Sequence, residues 1–253
     1  MTDRLRSYLN ALTAAPSVEQ LWSMHCARMA DYGFDRLFYG FTYFRSGDSL
    51  GDPADFILLT NHDRAYTDVF IGEGLYFDAP MLRWALEHEG ACSWSIVRDL
   101  HASKTLTPAE QRVLDFNRRM DVTAGYTVSF KAVSLRSKGA MALTARRGMT
   151  QEEVDAVWAR HGEDLTLMNT VAHLKILTLP KNFAGRSLTR RQQEVLNWVG
   201  EGKNVRDIAE ILGLTCATVE KHLRLAREAL DVETTAQAVL KAAFQNQLFV
   251  LSR

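Results

Sequence analysis

The sequence predicts an α+β protein of two domains: an N-terminal α/β/α sandwich built on an antiparallel sheet, and a C-terminal all-α domain of four helices. Three observations carry that expectation. At 253 residues the chain has the length of two ordinary domains rather than one. Residues 1–177 mix segments of helical period with segments rich in aromatic and β-branched residues, whereas from Leu188 to the end every apolar pattern is helical. Between them, Thr178-Leu-Pro-Lys-Asn-Phe-Ala-Gly185 lacks periodicity and carries Pro180, Asn182 and Gly185. That is the composition of a linker, placed here at 178–187.

Five helix starts share one device, a Ser or Thr followed three residues later by Glu or Gln, able to cap each other's backbone N–H groups. They are Ser17/Gln20, Thr107/Glu110 (with Pro108 next), Thr150/Glu153, Thr189/Gln192 and Thr234/Gln237. Strands are expected at Leu37–Phe44, Phe56–Thr60, Gly125–Leu135 and Ala140–Ala145, the last two joined at a Ser137-Lys138-Gly139 turn. In the C-terminal domain, helices are expected from Thr189 to Val199, over Asn204–Leu212, from Thr215 onward, and over Thr234–Phe244. Val219, Leu223, Ala226 and Leu230 recur at helical spacing and predict the buried stripe of the third, leaving Glu220, Lys221 and Arg224 outward. Two helices joined by a short turn with Gly213 fit a helix-turn-helix, whose second helix enters the DNA major groove.

Composition narrows the function classes. Hydrophobic residues make up 47% of the chain, enough for a core without disulfides. Lys plus Arg and Asp plus Glu balance at 30 each, so net charge names no partner; from Lys181 onward, however, 11 basic residues face 8 acidic ones. Cys26, Cys92 and Cys216 are odd in number and far apart, with no metal-ligand spacing, which fits a reduced, cytoplasmic chain. MTDRLRSYLNAL lacks the apolar core of a signal peptide, and no apolar run reaches membrane-spanning length. No membrane partner, metal or cofactor is expected.

The segment LTRRQQEVLNWVGEGKNVRDIAEILGLTCATVEKHLRLAREALDV closely resembles the DNA-binding domain of LuxR-type (NarL/FixJ-type) transcription regulators over about 60 residues. The resemblance rests on Leu188-Thr189, Arg191, Glu194-Val195-Leu196, Gly202-Lys203, Ile208-Ala209, Leu212, Thr218-Val219, His222 and Leu230. It implies double-stranded DNA as a partner. Thr189, Lys203 and Thr218 stand at helix starts suited to phosphate, and Glu220, Lys221 and Arg224 are the candidates for base edges. The small-residue stripe Ala238, Val239 and Ala242 on the last helix predicts a homodimer.

The N-terminal half opens with two helices rather than the βα alternation of a phosphate receiver. It resembles the autoinducer-binding domain of quorum-sensing LuxR-type receptors, which sense acyl-homoserine lactones. Leu37-Phe38-Tyr39-Gly40, Thr60-Asn61, Pro80, Trp94 and Gly125-Tyr126-Thr127 carry the likeness, with Tyr66 and Trp94 each 14 residues from Pro80. Residue by residue, the resemblance implies a ligand pocket lined by His62, Tyr66, Phe70, Trp94, Thr127 and Ala142. Tyr66 stands for the family's Trp that donates to the lactone carbonyl, and Phe70 for a Tyr. Ala79 occupies the position of the Asp that accepts the ligand amide N–H, with Asp78 one residue early as its candidate replacement. A small apolar-tailed signal, an acyl-homoserine lactone or a relative, is the expected second partner; a regulator with an open or empty pocket is the alternative. Gly47-Asp48-Ser49-Leu50-Gly51 matches an acyl-hydrolase signature, but no Asp-x-x-His accompanies it and turn chemistry accounts for its residues.

Overall fold

All five Ser/Thr starts cap helices. Thr107, Thr150, Thr189 and Thr234 close reciprocally with the Glu or Gln three residues on. Ser17 makes only the forward bond, accepting from the Gln20 N–H. The computed structural model describes residues 3–47, 49–103, 105–132, 134–180 and 187–248. The chain divides into two compact units, Met1–Leu177 and Thr178–Arg253. Of the expected linker, 181–186 lies outside the described residues; Thr178 still belongs to the preceding helix.

In the first unit, helices α1 (Asp3–Ala14) and α2 (Val18–Ala30) precede strand β1 (Phe34–Thr42) and strand β2 (Ile57–Thr60). Helices α3 (Arg64–Phe70) and α4 (Pro80–Glu87), strand β3 (Gly90–Ser93), and helices α5 (Ser95–Ala102) and α6 (Pro108–Arg119) follow. Strands β4 (Gly125–Ser129) and β5 (Lys138–Ala145) and the long helix α7 (Gln151–Thr178) complete it. The sheet runs β2-β1-β5-β4-β3 with every neighbour antiparallel.

Alternation along β1 assigns its two faces. Leu37 and Tyr39 turn towards α7 and are fully buried, and the Tyr39 hydroxyl shares a 2.9 Å hydrogen bond with His173 of that helix. Phe38, Gly40 and Thr42 turn to the opposite face, where α3–α6 lie. Asn61 fixes the approach to α3 by accepting from the Leu37 N–H and donating to the Asp35 carbonyl.

Three expectations need correction. Strand β3 had no sequence signal: Gly90-Ala-Cys-Ser holds no β-branched or large residue and forms an edge. The strand expected over Gly125–Leu135 ends at Ser129. The hairpin turn sits before Lys138, closed by Ser137 N–H to the Ser134 carbonyl. Gly139 is therefore no turn residue. It lies within β5 because a Cβ there would come within 2.8 Å of Phe41 and 3.0 Å of His173, so only glycine admits their close packing.

A buried polar chain ties α1, α2 and α7. Tyr8 Oη lies 2.7 Å from His25 Nδ1, and His25 Nε2 lies 3.1 Å from Asn169 Oδ1. Burial pushes the His25 pKa down to about 4, the Asn169 bond offsetting little of it. His62 is likewise lowered to about 4, by burial and the nearby Arg36 guanidinium. An unfolded histidine titrates near 6.5. Both groups therefore leave the protein fully stable above about pH 6.5 and withdraw stability as pH falls towards 4, each by about 1.4 kcal/mol per pH unit within that window. Urea midpoints of the full chain should drop between pH 7 and pH 5. Unchanged midpoints would contradict the burial of these rings.

Candidate functional site

The face of the sheet opposite α7 has a low floor. Gly40 pairs with Ala140, and Ala142 lies two residues on along β5, so small side chains sit side by side where large ones would fill the layer. The helices above do not close the gap, and a cavity of about 440 Å³ remains between the sheet and α3–α6. That volume suits a small organic molecule with an apolar chain.

One wall is an aromatic ladder. His62, Tyr66 and Phe70 follow at i, i+4 and i+8, stacked with ring centres 4.4 and 4.9 Å apart; Tyr66 also stacks on Phe116 of α6 at 5.4 Å. The Tyr66 hydroxyl donates to Asn117 Oδ1 at 3.1 Å. Burial pushes the phenol's pKa far up, so it remains protonated and a donor. Across the cavity, Trp94 Nε1 donates to Thr127 Oγ1 at 2.9 Å. The indole lies directly against Gly125, where a Cβ would sit 3.0 Å from the ring and run into the Leu143 carbonyl oxygen.

Of the residues expected from the sequence, His62, Tyr66, Phe70, Trp94, Thr127 and Ala142 all line this cavity. Asp78 does not. In the 3-10 turn Leu75–Asp78 the buried Tyr76 faces inward, which turns Phe77 and Asp78 to solvent, and it is Ala79 that lines the cavity. The polar lining residues that escaped the sequence reading include Asn117, Thr144, Lys138, Arg98 and Arg118. Asn117 had a usable signal, being a polar residue four positions after buried Val113 on the apolar side of α6. Lys138 reaches the end of α4, its Nζ donating to the His88 carbonyl at 2.9 Å, and burial lowers its pKa.

Ser49 of the hydrolase-like signature sits in a tight turn with Ser46, each donating its N–H to the other's carbonyl, and its hydroxyl accepts from the Gly51 N–H. Asp48 lies outside the described residues.

The second unit comprises α8 (Arg190–Gly200), α9 (Val205–Leu212), α10 (Cys216–Leu230) and α11 (Thr235–Phe244). Gly213, at φ 64°, ends α9, and Thr215 caps α10. Val219, Leu223, Ala226 and Leu230 enter a core shared with Val195, Leu196 and Ile208. Glu220, Lys221 and Arg224 are exposed on the other side of α10. Arg224 pairs with Glu228 at 2.5 Å, both side chains more than half exposed, so water screens the pair and it holds the guanidinium only weakly. Lys203 is exposed just ahead of the α9 cap Asn204. Thr189 and Thr218 stand at helix starts, but the N–H of each is already donated within its cap, to Gln192 Oε1 and Thr215 Oγ1. Their hydroxyls are engaged as well: Thr189 Oγ1 accepts from the Gln192 N–H, and Thr218 Oγ1 shares a 2.9 Å bond with Thr215 Oγ1. The stripe expected to seek a partner is consumed internally: Ala238 and Ala242 are fully buried, and Leu240, 54% exposed, is the large apolar residue of α11 that faces out.

A cavity on an antiparallel sheet joined in one chain to a helix-turn-helix defines a sensor-regulator class. The chain belongs to the luxR family of bacterial regulatory proteins: residues 17–176 match the autoinducer binding domain and 186–242 the family's regulatory domain. Among its relatives is the transcriptional activator protein CarR of Pectobacterium carotovorum subsp. carotovorum, 23% identical over 80% of this chain and 83% of that one. The quorum sensing-dependent transcriptional regulator RpaR of Rhodopseudomonas palustris is 27% identical over 71% of this chain and 70% of its own. The crystal structure of the N-acylhomoserine lactone dependent factor CepR2 from Burkholderia cenocepacia shares the fold, with a TM-score of 0.52 at 17% identity over 68% of this chain and 93% of that one. Among the described residues no helix is long and apolar enough to cross a membrane.

Proposed function

We propose that this chain is a cytoplasmic, homodimeric transcription regulator, not an enzyme, whose sheet-face cavity takes an apolar-tailed signal of the acyl-homoserine lactone class or a relative of it. The observation that carries the reading is the cavity itself, an apolar chamber with a few convergent polar groups in the same chain as a helix-turn-helix unit. His62, Tyr66, Phe70, Trp94, Thr127 and Ala142 form the ligand side. The Tyr66 hydroxyl, held by Asn117, and the Thr127 hydroxyl, held by Trp94, supply orientation, while Leu58, Leu82 and Leu86 receive the chain. On the DNA side, Lys203, Thr189 and Thr218 grip phosphate, and Glu220, Lys221 and Arg224 read base edges. Leu167 and Leu174 on α7, and separately Leu240 on α11, give each unit exposed apolar surface for a second copy.

Thermal-shift titration of the full chain with acyl-homoserine lactones of four to fourteen acyl carbons should raise the melting temperature for at least one chain length. Asp78→Asn should leave that shift unchanged, since the side chain faces solvent. No shift at any length, or a shift abolished by Asp78→Asn, contradicts the assignment of the site. Sedimentation should show a dimer at micromolar concentration with ligand and DNA; a monomer under all conditions would remove the dimer from the reading.

A further inference from the structure

The polar groups of the cavity do not balance, and the imbalance selects a ligand. Counted by donors and acceptors, Asn117 Oδ1 already accepts from Tyr66, and Thr127 Oγ1 already accepts from Trp94. His62 Nε2 and Thr144 Oγ1 share one 3.3 Å bond, which leaves one donor hydrogen between them whichever tautomer the imidazole adopts. Both hydrogens of Asn117 Nδ2 and the hydroxyl hydrogen of Thr127 find no acceptor among the described residues. The charged side chains on the cavity wall point the same way. Arg98, Arg118 and Lys138 line it, already engaged with Glu152, Asp115 and the His88 carbonyl, and no Asp or Glu lines it. The side-chain acceptors left over are all neutral: the second lone pairs of Asn117 Oδ1 and Thr127 Oγ1, the Tyr66 phenol oxygen, and one lone pair of the His62–Thr144 pair.

We infer that the cavity selects acceptor-rich ligands: a medium-length apolar chain whose head carries carbonyl oxygens and needs no N–H donor. A carbonyl there meets Asn117 Nδ2 and the Thr127 hydroxyl, groups that packing has oriented but not satisfied. An amide N–H in the same head meets no carboxylate. Its hydrogen bond to water would be exchanged for one to a neutral, already engaged oxygen rather than a carboxylate, which offsets what the amide carbonyl gains. The preference is thus for esters, ketones and lactones over their amide counterparts. This inference rests on the proposed signal-binding role of the same cavity.

The test pairs two probes that differ in one atom, N-octanoyl-homoserine lactone and the ester with oxygen in place of its N–H, titrated calorimetrically into the full chain. The expected result is an ester that binds within threefold of the amide or more tightly. Asn117→Asp retains the acceptor for Tyr66 and replaces the donor by a carboxylate, so it should swing the ratio at least tenfold towards the amide. An ester at least tenfold weaker than the amide in the wild-type chain overturns the inference and leaves the signal-binding role intact. Binding of neither probe overturns both. An unchanged ratio in Asn117→Asp, with both probes still bound, removes Asn117 from the selection and overturns the donor assignment.

Discussion

Gly125→Ala is expected to destabilise the first unit by about 3 kcal/mol, at the upper end of what an added methyl group costs in a packed interior. The reason is local. The new Cβ would run into the carbonyl oxygen of Leu143 on the paired strand and press to within 3.0 Å of the Trp94 ring. The carbonyl belongs to the sheet ladder and cannot rotate away, so the Gly125 backbone must shift and push against the indole packed on it. Displacing it breaks the Trp94–Thr127 hydrogen bond at the cavity wall. Denaturant unfolding of the full chain should therefore show a lowered midpoint for the first unit together with weakened ligand binding. The second unit, which shares no packing with this position in its own core, should unfold at its wild-type midpoint. Wild-type stability in Gly125→Ala would mean that the close approach of Trp94 and β5 to this backbone is wrong.

Arg224→Ala is expected to cost about 1–3 kcal/mol at a cognate operator, the worth of a bidentate contact to a base edge, and to flatten preference at the position it reads. The Glu228 pair does not stand in the way. An exposed ion pair contributes about 0.2–1 kcal/mol, less than the DNA contact that replaces it. Lys203→Ala should instead weaken cognate and random DNA about equally and reduce the salt dependence of binding by about one phosphate's share. Fluorescence anisotropy on both DNAs at several salt concentrations separates the two outcomes. A uniform loss in Arg224→Ala would move that residue from the bases to the backbone.

The parts of this architecture legible in the sequence are those where one residue type has one use. The Ser/Thr caps are of this kind, because a hydroxyl with Glu or Gln three residues on has a single cheap way to satisfy a helix start. The α10 stripe is another, since its period leaves one face to bury. What escaped was structure specified by absence. Strand β3 is an edge of small residues with nothing to alternate. Gly139 reads as a turn glycine and serves instead as a gap between Phe41 and His173. The cavity depends on Gly40, Ala140 and Ala142 lying side by side, a coincidence of register between strands a hundred residues apart. The spacing around Pro80 brought out part of the cavity wall, because those residues lie on the elements that cover the cavity. It misplaced Asp78, because a single 3-10 turn decides which neighbour faces in.

The same register governs how the protein comes into being. Phe34 pairs with Ala145, so β1 waits for about 110 further residues before its neighbour leaves the ribosome, roughly 5–20 s at common rates of translation. Throughout that interval a strand rich in Leu, Phe and Tyr has only β2 on one edge. The second unit faces no such delay, its helices packing on close neighbours in the chain. Growth temperature and translation speed therefore act on the yield of the signal-sensing half far more than on the DNA-binding half, and nascent chains stalled before Lys138 are the ones that chaperones must shelter.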